Sequence, residues 1–154
     1  MKRFKYIFLL ITLGAAISCN NGNKKLTEAE LVEYADNLHK EMITIDTHND
    51  TPMRFVRSGF DFSGEKNMAR GSCVDLLKME KGGLDAAFFA VFTNQGECTP
   101  EKYEKVNAHA LEILDAIHTK TAQYQNRAGV ATTPDDIYNL KKEGKRAIYI
   151  GIEN

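Results

Sequence analysis

Leu84-Asp85-Ala86-Ala87-Phe88-Phe89-Ala90-Val91-Phe92 sets the architecture of this chain. Apart from Asp85 it is wholly apolar, so a strand made from it cannot turn either face to water. Strands covered on both sides belong to parallel sheets with helices packed against them; half-exposed antiparallel strands alternate apolar with polar instead. Gly82-Gly83, just before it, is a glycine stop for a short helix predicted over about residues 74–81. Just after it, Thr99-Pro100 starts another helix, with Thr as cap and Pro in the first turn. That helix is predicted to run to about Gln125, with Val106, Ala110, Ile113, Leu114 and Ile117 on its buried side.

The alternation continues in both directions. Upstream, Thr27-Glu28-Ala29-Glu30 is a capping-box pattern, with Leu26 and Leu31 placed as a hydrophobic staple. Leu31, Tyr34, Leu38 and Met42 then recur at helical spacing. Ile43-Thr44-Ile45-Asp46 reads as a short strand, ended by Thr47-His48-Asn49-Asp50-Thr51-Pro52, and residues Gly59 to Gly71 read as a loop. Downstream, Thr133-Pro134-Asp135-Asp136 starts a helix that Gly144 ends, and Ala147 to Glu153 reads as a third buried strand. Strands alternating with helices predict an α/β fold, a parallel sheet under helical cover. Three strands cannot close a barrel, and a complete α/β barrel needs roughly 250 residues. The chain stops one residue after an apolar strand, which leads us to expect the N-terminal part of a longer protein. An uncovered edge on so short a chain predicts marginal stability or aggregation.

Composition narrows the function. The 154 residues are 43% apolar and 27% charged, an ordinary globular balance. Formal charge is −1, and Lys2, Arg3 and Lys5 are the only charged residues among the first eighteen, so losing that segment leaves −4. A mildly acidic chain without a basic block is a poor nucleic-acid binder. The cationic start is followed by an uncharged apolar run over residues 6–17. Twelve helical residues span about 18 Å, short of the roughly 30 Å hydrocarbon core, so residues 1–18 read as an export signal rather than a membrane span. Ala16-Ile17-Ser18-Cys19 resembles the lipobox of bacterial lipoproteins, with Ala16 where Leu is commoner. Cys19 would then carry the lipid, residues 19–25 would form a tether, and the protein would sit exported and membrane-anchored in a bacterial cell envelope. An ordinary cleaved signal with an incidental cysteine fits the same residues. In an exported protein Cys73 and Cys98 become candidates for a disulfide, though a partner for Cys98 outside this chain, or two free thiols, is the favoured reading.

Three residues carry a candidate chemistry. His48 and Asp50 stand two apart at the carboxyl end of the first strand, so strand periodicity predicts that they share a face. Sites in parallel α/β folds are built at those ends. An imidazole nitrogen and a carboxylate oxygen suit zinc, and a His and an Asp that merely cap the strand satisfy the same spacing. Glu153 ends the third strand after Ile150-Gly151-Ile152. A carboxylate there is costly unless paired or metal-bound, or it has simply emerged into solvent. Gly151 would let a neighbour or ligand approach closely. His39 reads as a helix-end cation or cap, and His109 and His118 lie on opposite sides of one helix. Cys98 has no His that the sequence places as its base, and no nucleophile elbow or phosphate-binding loop is present.

Ile45-Asp46-Thr47-His48-Asn49-Asp50-Thr51-Pro52 resembles the opening motif of the membrane dipeptidase (renal dipeptidase) family. Lys81 to Phe92 resembles its second strand, and Ile150-Gly151-Ile152-Glu153-Asn154 resembles the strand bearing its metal-bridging glutamate. The likeness runs in order from about residue 30 to the end. It implies the N-terminal portion of a (β/α)8 barrel over residues 26–154, a partial metallopeptidase domain. It also implies two Zn2+ ions in the complete protein, with His48 and Asp50 on one and Glu153 touching both. Metal-activated water would hydrolyse a dipeptide to amino acids. The family's two later histidines and its substrate-contacting and proton-handling groups have no position here, so no catalytic residue beyond the metal ligands is assigned and this piece should be inactive alone. The implied partners are a dipeptide and a membrane reached through the lipid anchor, and the complete protein could pair as a homodimer. Another barrel-type metal-dependent amidohydrolase is an alternative, as is a non-catalytic surface lipoprotein or remnant.

Overall fold

The structure, a computed structural model, describes residues 25–57, 59–66 and 74–153. The expected export signal at 1–18, Cys19, most of the expected tether, Cys73 and Asn154 lie outside them. The described residues fall into two compact units, divided between Asn37 and Leu38. In the first, the capping box closes: the Thr27 hydroxyl accepts the Glu30 N–H at 3.3 Å and the Thr27 N–H donates to the Glu30 carboxylate at 2.8 Å. It opens helix α1 (Glu28–Glu41), which ends in the second unit, where Leu38 and Met42 of its apolar stripe are exposed. Among the described residues no helix is long and apolar enough to cross a membrane.

The second unit continues as β1 (Ile45–Asn49), α2 (Pro52–Phe55), α3 (Leu76–Gly82), β2 (Ala86–Phe92), α4 (Pro100–Gln123), β3 (Ala128–Val130), α5 (Asp136–Lys142) and β4 (Arg146–Glu153). The sheet is wholly parallel, in the order β1-β2-β4-β3. Among the described residues four strands are present where three were expected. The extra one, β3, is three residues long and contains Gly129, too little for a periodicity to register. It pairs only with Arg146–Ile148, so the far half of β4 gains no cover there and Ile152 is 80% exposed. The expectation of a third strand buried throughout therefore fails beyond Ile148. The last helix also starts three residues later than its Thr-Pro signal. Asp136, not Thr133, ties its first turn, accepting the Thr132 and Thr133 N–H groups at 2.7 and 2.8 Å.

β2 sits in the middle and is covered on both faces, as its composition requires. On one face Phe89, Val91 and Ile148 pack with Leu76, Met79, Ile113 and Ile117, all essentially buried. Phe55, Phe62 and Phe89 meet edge to face, with centroids 5.0–5.8 Å apart. On the other face Ala86 and Ala147 pack with Ala131 and Ile137. Buried Asp85, just before β2, accepts from Lys141 at 2.7 Å, Arg146 at 3.1 Å and the Thr44 N–H at 3.0 Å, tying the start of β1 to the start of β4. The predicted glycine stop of α3 is in place. Gly83 takes φ +67°, and a Cβ there would run into the His39 ring, whose Nε2 meets the Gly82 carbonyl at 3.1 Å. His39 thus does the capping expected of it, on the end of α3 rather than of its own helix.

This packing makes two predictions about stability. Phe89→Ala removes the ring shared by both halves of the aromatic cluster and should cost about 3–5 kcal/mol in chemical denaturation. A loss below about 1 kcal/mol would contradict the packing. Burial pushes the Asp61 carboxyl up, but hydrogen bonds from Ser63, the Lys66 N–H and Tyr124 outweigh it and hold the pKa at about 2, against 3.8 when unfolded. A depressed folded pKa adds stability that is full above about pH 4 and is lost as pH falls through 2, amounting to about 2 kcal/mol. An NMR titration placing the Asp61 carboxyl midpoint near 4 would refute it.

Candidate metal centre

Parallel pairing sets the site's position. β1 and β4 both run alongside β2 in one direction, so their carboxyl ends share a rim. β4 pairs with β2 from Ala86↔Ala147 to Phe92↔Glu153, which places Glu153 at that rim, and the Thr93 N–H donates to its carbonyl at 3.0 Å. His48 lies inside β1, two residues further on than the expected strand end at Asp46, and Asp50 lies just past it in the turn leading to α2.

The three predicted ligands come together there. His48 Nε2 is 3.4 Å from Asp50 Oδ1, and His48 Nδ1 is 3.5 Å from Glu153 Oε2. One donor atom from each residue can be chosen so that all lie within 4.8 Å of one another. Donors about 2.1 Å from a tetrahedral ion stand about 3.4 Å apart. The two short contacts use opposite nitrogens of the His48 ring, so a single divalent cation would take one of them with an oxygen from each acid, a set that lies within 4.8 Å. The side chains are 55%, 66% and 48% exposed, so an ion can reach them from solvent. His48 and Glu153 line a cavity of about 180 Å³, together with the register partners Ala90 and Gly151. A Cβ on Gly151 would meet nothing within 4 Å, so no protein neighbour makes the close approach its glycine would permit.

The route to this geometry differs from the expected one. Simple two-residue periodicity does not put His48 and Asp50 on one face, because β1 is irregular between Asp46 and Asn49 and Asp50 is outside the strand. Two residues that the sequence reading passes over hold the irregularity. Asp46 accepts the His48 N–H at 3.2 Å and the Asn49 side-chain amide at 2.9 Å, while Asn49 Oδ1 accepts the Thr51 N–H at 3.0 Å. The signal available was Asp and Asn crowded before Pro52, residue types that bond the backbone two positions on. The other histidines are engaged elsewhere: His39 bonds Gly82, His109 pairs with Glu112 on its own helix at 3.2 Å, and His118 lines a separate cavity beside Val130 and Ile137. Cys98 is exposed.

Comparison with known proteins agrees with the fold. The membrane dipeptidase family, peptidase family M19, matches residues 32–154. The dipeptidase verJ of Clonostachys rogersoniana is 27% identical over 135 residues, which cover 77% of this chain and 34% of that protein. The crystal structure of the probable dipeptidase PvdM from Pseudomonas aeruginosa superposes with a TM-score of 0.63 at 25% identity, over 82% of this chain and 32% of the other. That of a metallo peptidase from Rhodobacter sphaeroides, liganded with a phosphinate mimic of the dipeptide L-Ala-D-Ala, gives 0.57 at 18% identity, over 73% and 38%. The chain spans about a third of the length of these relatives, and its sheet corresponds to part of their barrel. With most of the described residues inside the match, the chain belongs to the membrane dipeptidase family, peptidase family M19.

Proposed function

We propose that this chain carries the first part of the metal site of a zinc-dependent dipeptidase. The convergence of His48, Asp50 and Glu153 at one rim of the sheet is the observation that supports it. His48 and Asp50 would hold one zinc ion, and Glu153 would be shared with a second. The remaining ligands would come from residues that follow this chain, so these residues alone do not hydrolyse peptides. When bound, such ions supply Lewis-acid polarisation of a carbonyl and make water acidic enough to act as a nucleophile at neutral pH. The chain's own part is electrostatic and geometric. Asp50 and Glu153 bring two negative charges to face a divalent cation, and neutral imidazole adds a nitrogen donor without further charge. The small lining residues Ala90 and Gly151 leave room above the sheet for a short substrate. Dipeptidases among the relatives, and the dipeptide mimic held by the Rhodobacter enzyme, support a dipeptide as substrate. The leader and Cys19 support export and lipid anchoring in a bacterial envelope.

In the full-length protein, His48→Ala, Asp50→Ala and Glu153→Ala should each lower kcat/KM for a dipeptide by more than about 100-fold. Chelation should abolish activity, zinc should restore it, and tripeptides should be spared. Undiminished activity in all three variants would end this reading, while cleavage of amides other than dipeptides would favour a different hydrolase on the same barrel. Separately, Cys19→Ala should move the protein from the membrane to the soluble fraction. An unchanged membrane fraction would rule out the anchor.

A further inference from the structure

We propose that Asp46 and Asn49 form a positioning pair that sets the aim of His48; this rests on the metal-site reading of His48 given above. Strand register carries the inference. Asp46 pairs with Ala87 and Asn49 with Phe89, so three steps along β1 match two along β2 and one residue is extra. Such a bulge displaces its residues from the alternation of the strand. Ala87 and Phe89 point into the helix-covered core, and Asp46 and Asn49, their partners, share that side of the sheet. That is why the Asp46 carboxylate reaches the Asn49 amide at 2.9 Å. In a regular strand counted on from Asp46, His48 would stand opposite Phe89 and face the core. The bulge turns it to the other face, where Glu153 lies 3.5 Å away. A one-residue change of register reverses every side chain beyond it.

Asp46 holds the irregular step. At a bulge the backbone ladder is interrupted, and the second carboxylate oxygen of Asp46 takes the His48 N–H at 3.2 Å. Asn49 extends the tie to the next turn through the Thr51 N–H, fixing the backbone on either side of Asp50. Asp46 would touch neither ion nor substrate. It acts through the orientation of two ligands, as groups behind metal ligands commonly do.

The test uses the full-length protein as wild type, Asp46→Ala and Asp46→Asn, with Thr99→Ala as a control that loosens the α4 cap without touching the Asp46, Asn49 or Thr51 bonds. Amide hydrogen exchange at His48 is measured on metal-free protein, and affinity for zinc alone by calorimetry. Asp46→Ala should speed exchange at His48 about tenfold, the loss of one hydrogen bond, and weaken zinc binding about 10–100-fold. Asp46→Asn, which keeps an acceptor oxygen, should recover part of both, and Thr99→Ala should change neither. Unaltered exchange and affinity in Asp46→Ala, with wild type binding zinc, overturns the positioning pair alone. Equal loss of affinity in Thr99→Ala overturns it too, by reducing the effect to general loosening. Absence of zinc binding by wild type overturns the metal-site reading beneath it.

Discussion

Parallel pairing of β2 with β4, unbroken over seven residue pairs from Ala86↔Ala147 to Phe92↔Glu153, governs both the sheet and the site at its rim. A parallel ladder fixes direction as well as contact, so whatever follows each strand emerges on one side of the sheet. β1 adds to the opposite edge of β2 in the same sense. Two segments about a hundred residues apart thereby deliver an imidazole and a carboxylate to one rim. The ladder is held by burial of β2 on both faces: phenylalanine and isoleucine against α3 and α4 on one, alanines against α5 on the other. Asp85 locks the opposite rim with two cations. The site therefore stands at the end of rigid strands, whose position the core controls.

Direction alone does not complete the site. Each carboxylate stands 3.4–3.5 Å from a different nitrogen of the His48 ring, and a divalent cation would draw both acids to one positive charge. The bulge in β1 supplies the orientation that the ladder cannot. It costs backbone pairing, and the Asp46–Asn49–Thr51 bonds offset that locally. Fold and site are coupled at this point, since the irregularity that interrupts the sheet is what presents His48 to Glu153.

The parts of this arrangement differ in how far the sequence discloses them. Leu84 to Phe92 declares a buried parallel strand because a strand apolar on both faces needs helical cover on each side, and the caps of α1, α3 and α4 follow from short-range chemistry. His48, Asp50 and Glu153 were legible as candidates because strand ends are where such folds build sites, and the resemblance to a family motif ordered them. β3 was not legible, since three residues with a central glycine become a strand only beside β4. The bulge was hidden too. One extra residue in β1 is a property of its register against β2, not of its own sequence, and the two-residue count gave the right grouping of His48 with Asp50 for an incomplete reason. The bond from Tyr124 to Asp61 spans 63 positions and leaves no local trace.

Whether these three side chains grip one metal centre can be decided by anomalous diffraction at the zinc edge from crystals of the full-length protein. A peak is expected within about 2.0–2.2 Å of a His48 nitrogen and of oxygens from Asp50 and Glu153. A zinc peak bound elsewhere, with His48 turned toward Phe89 and away from Glu153, would contradict it.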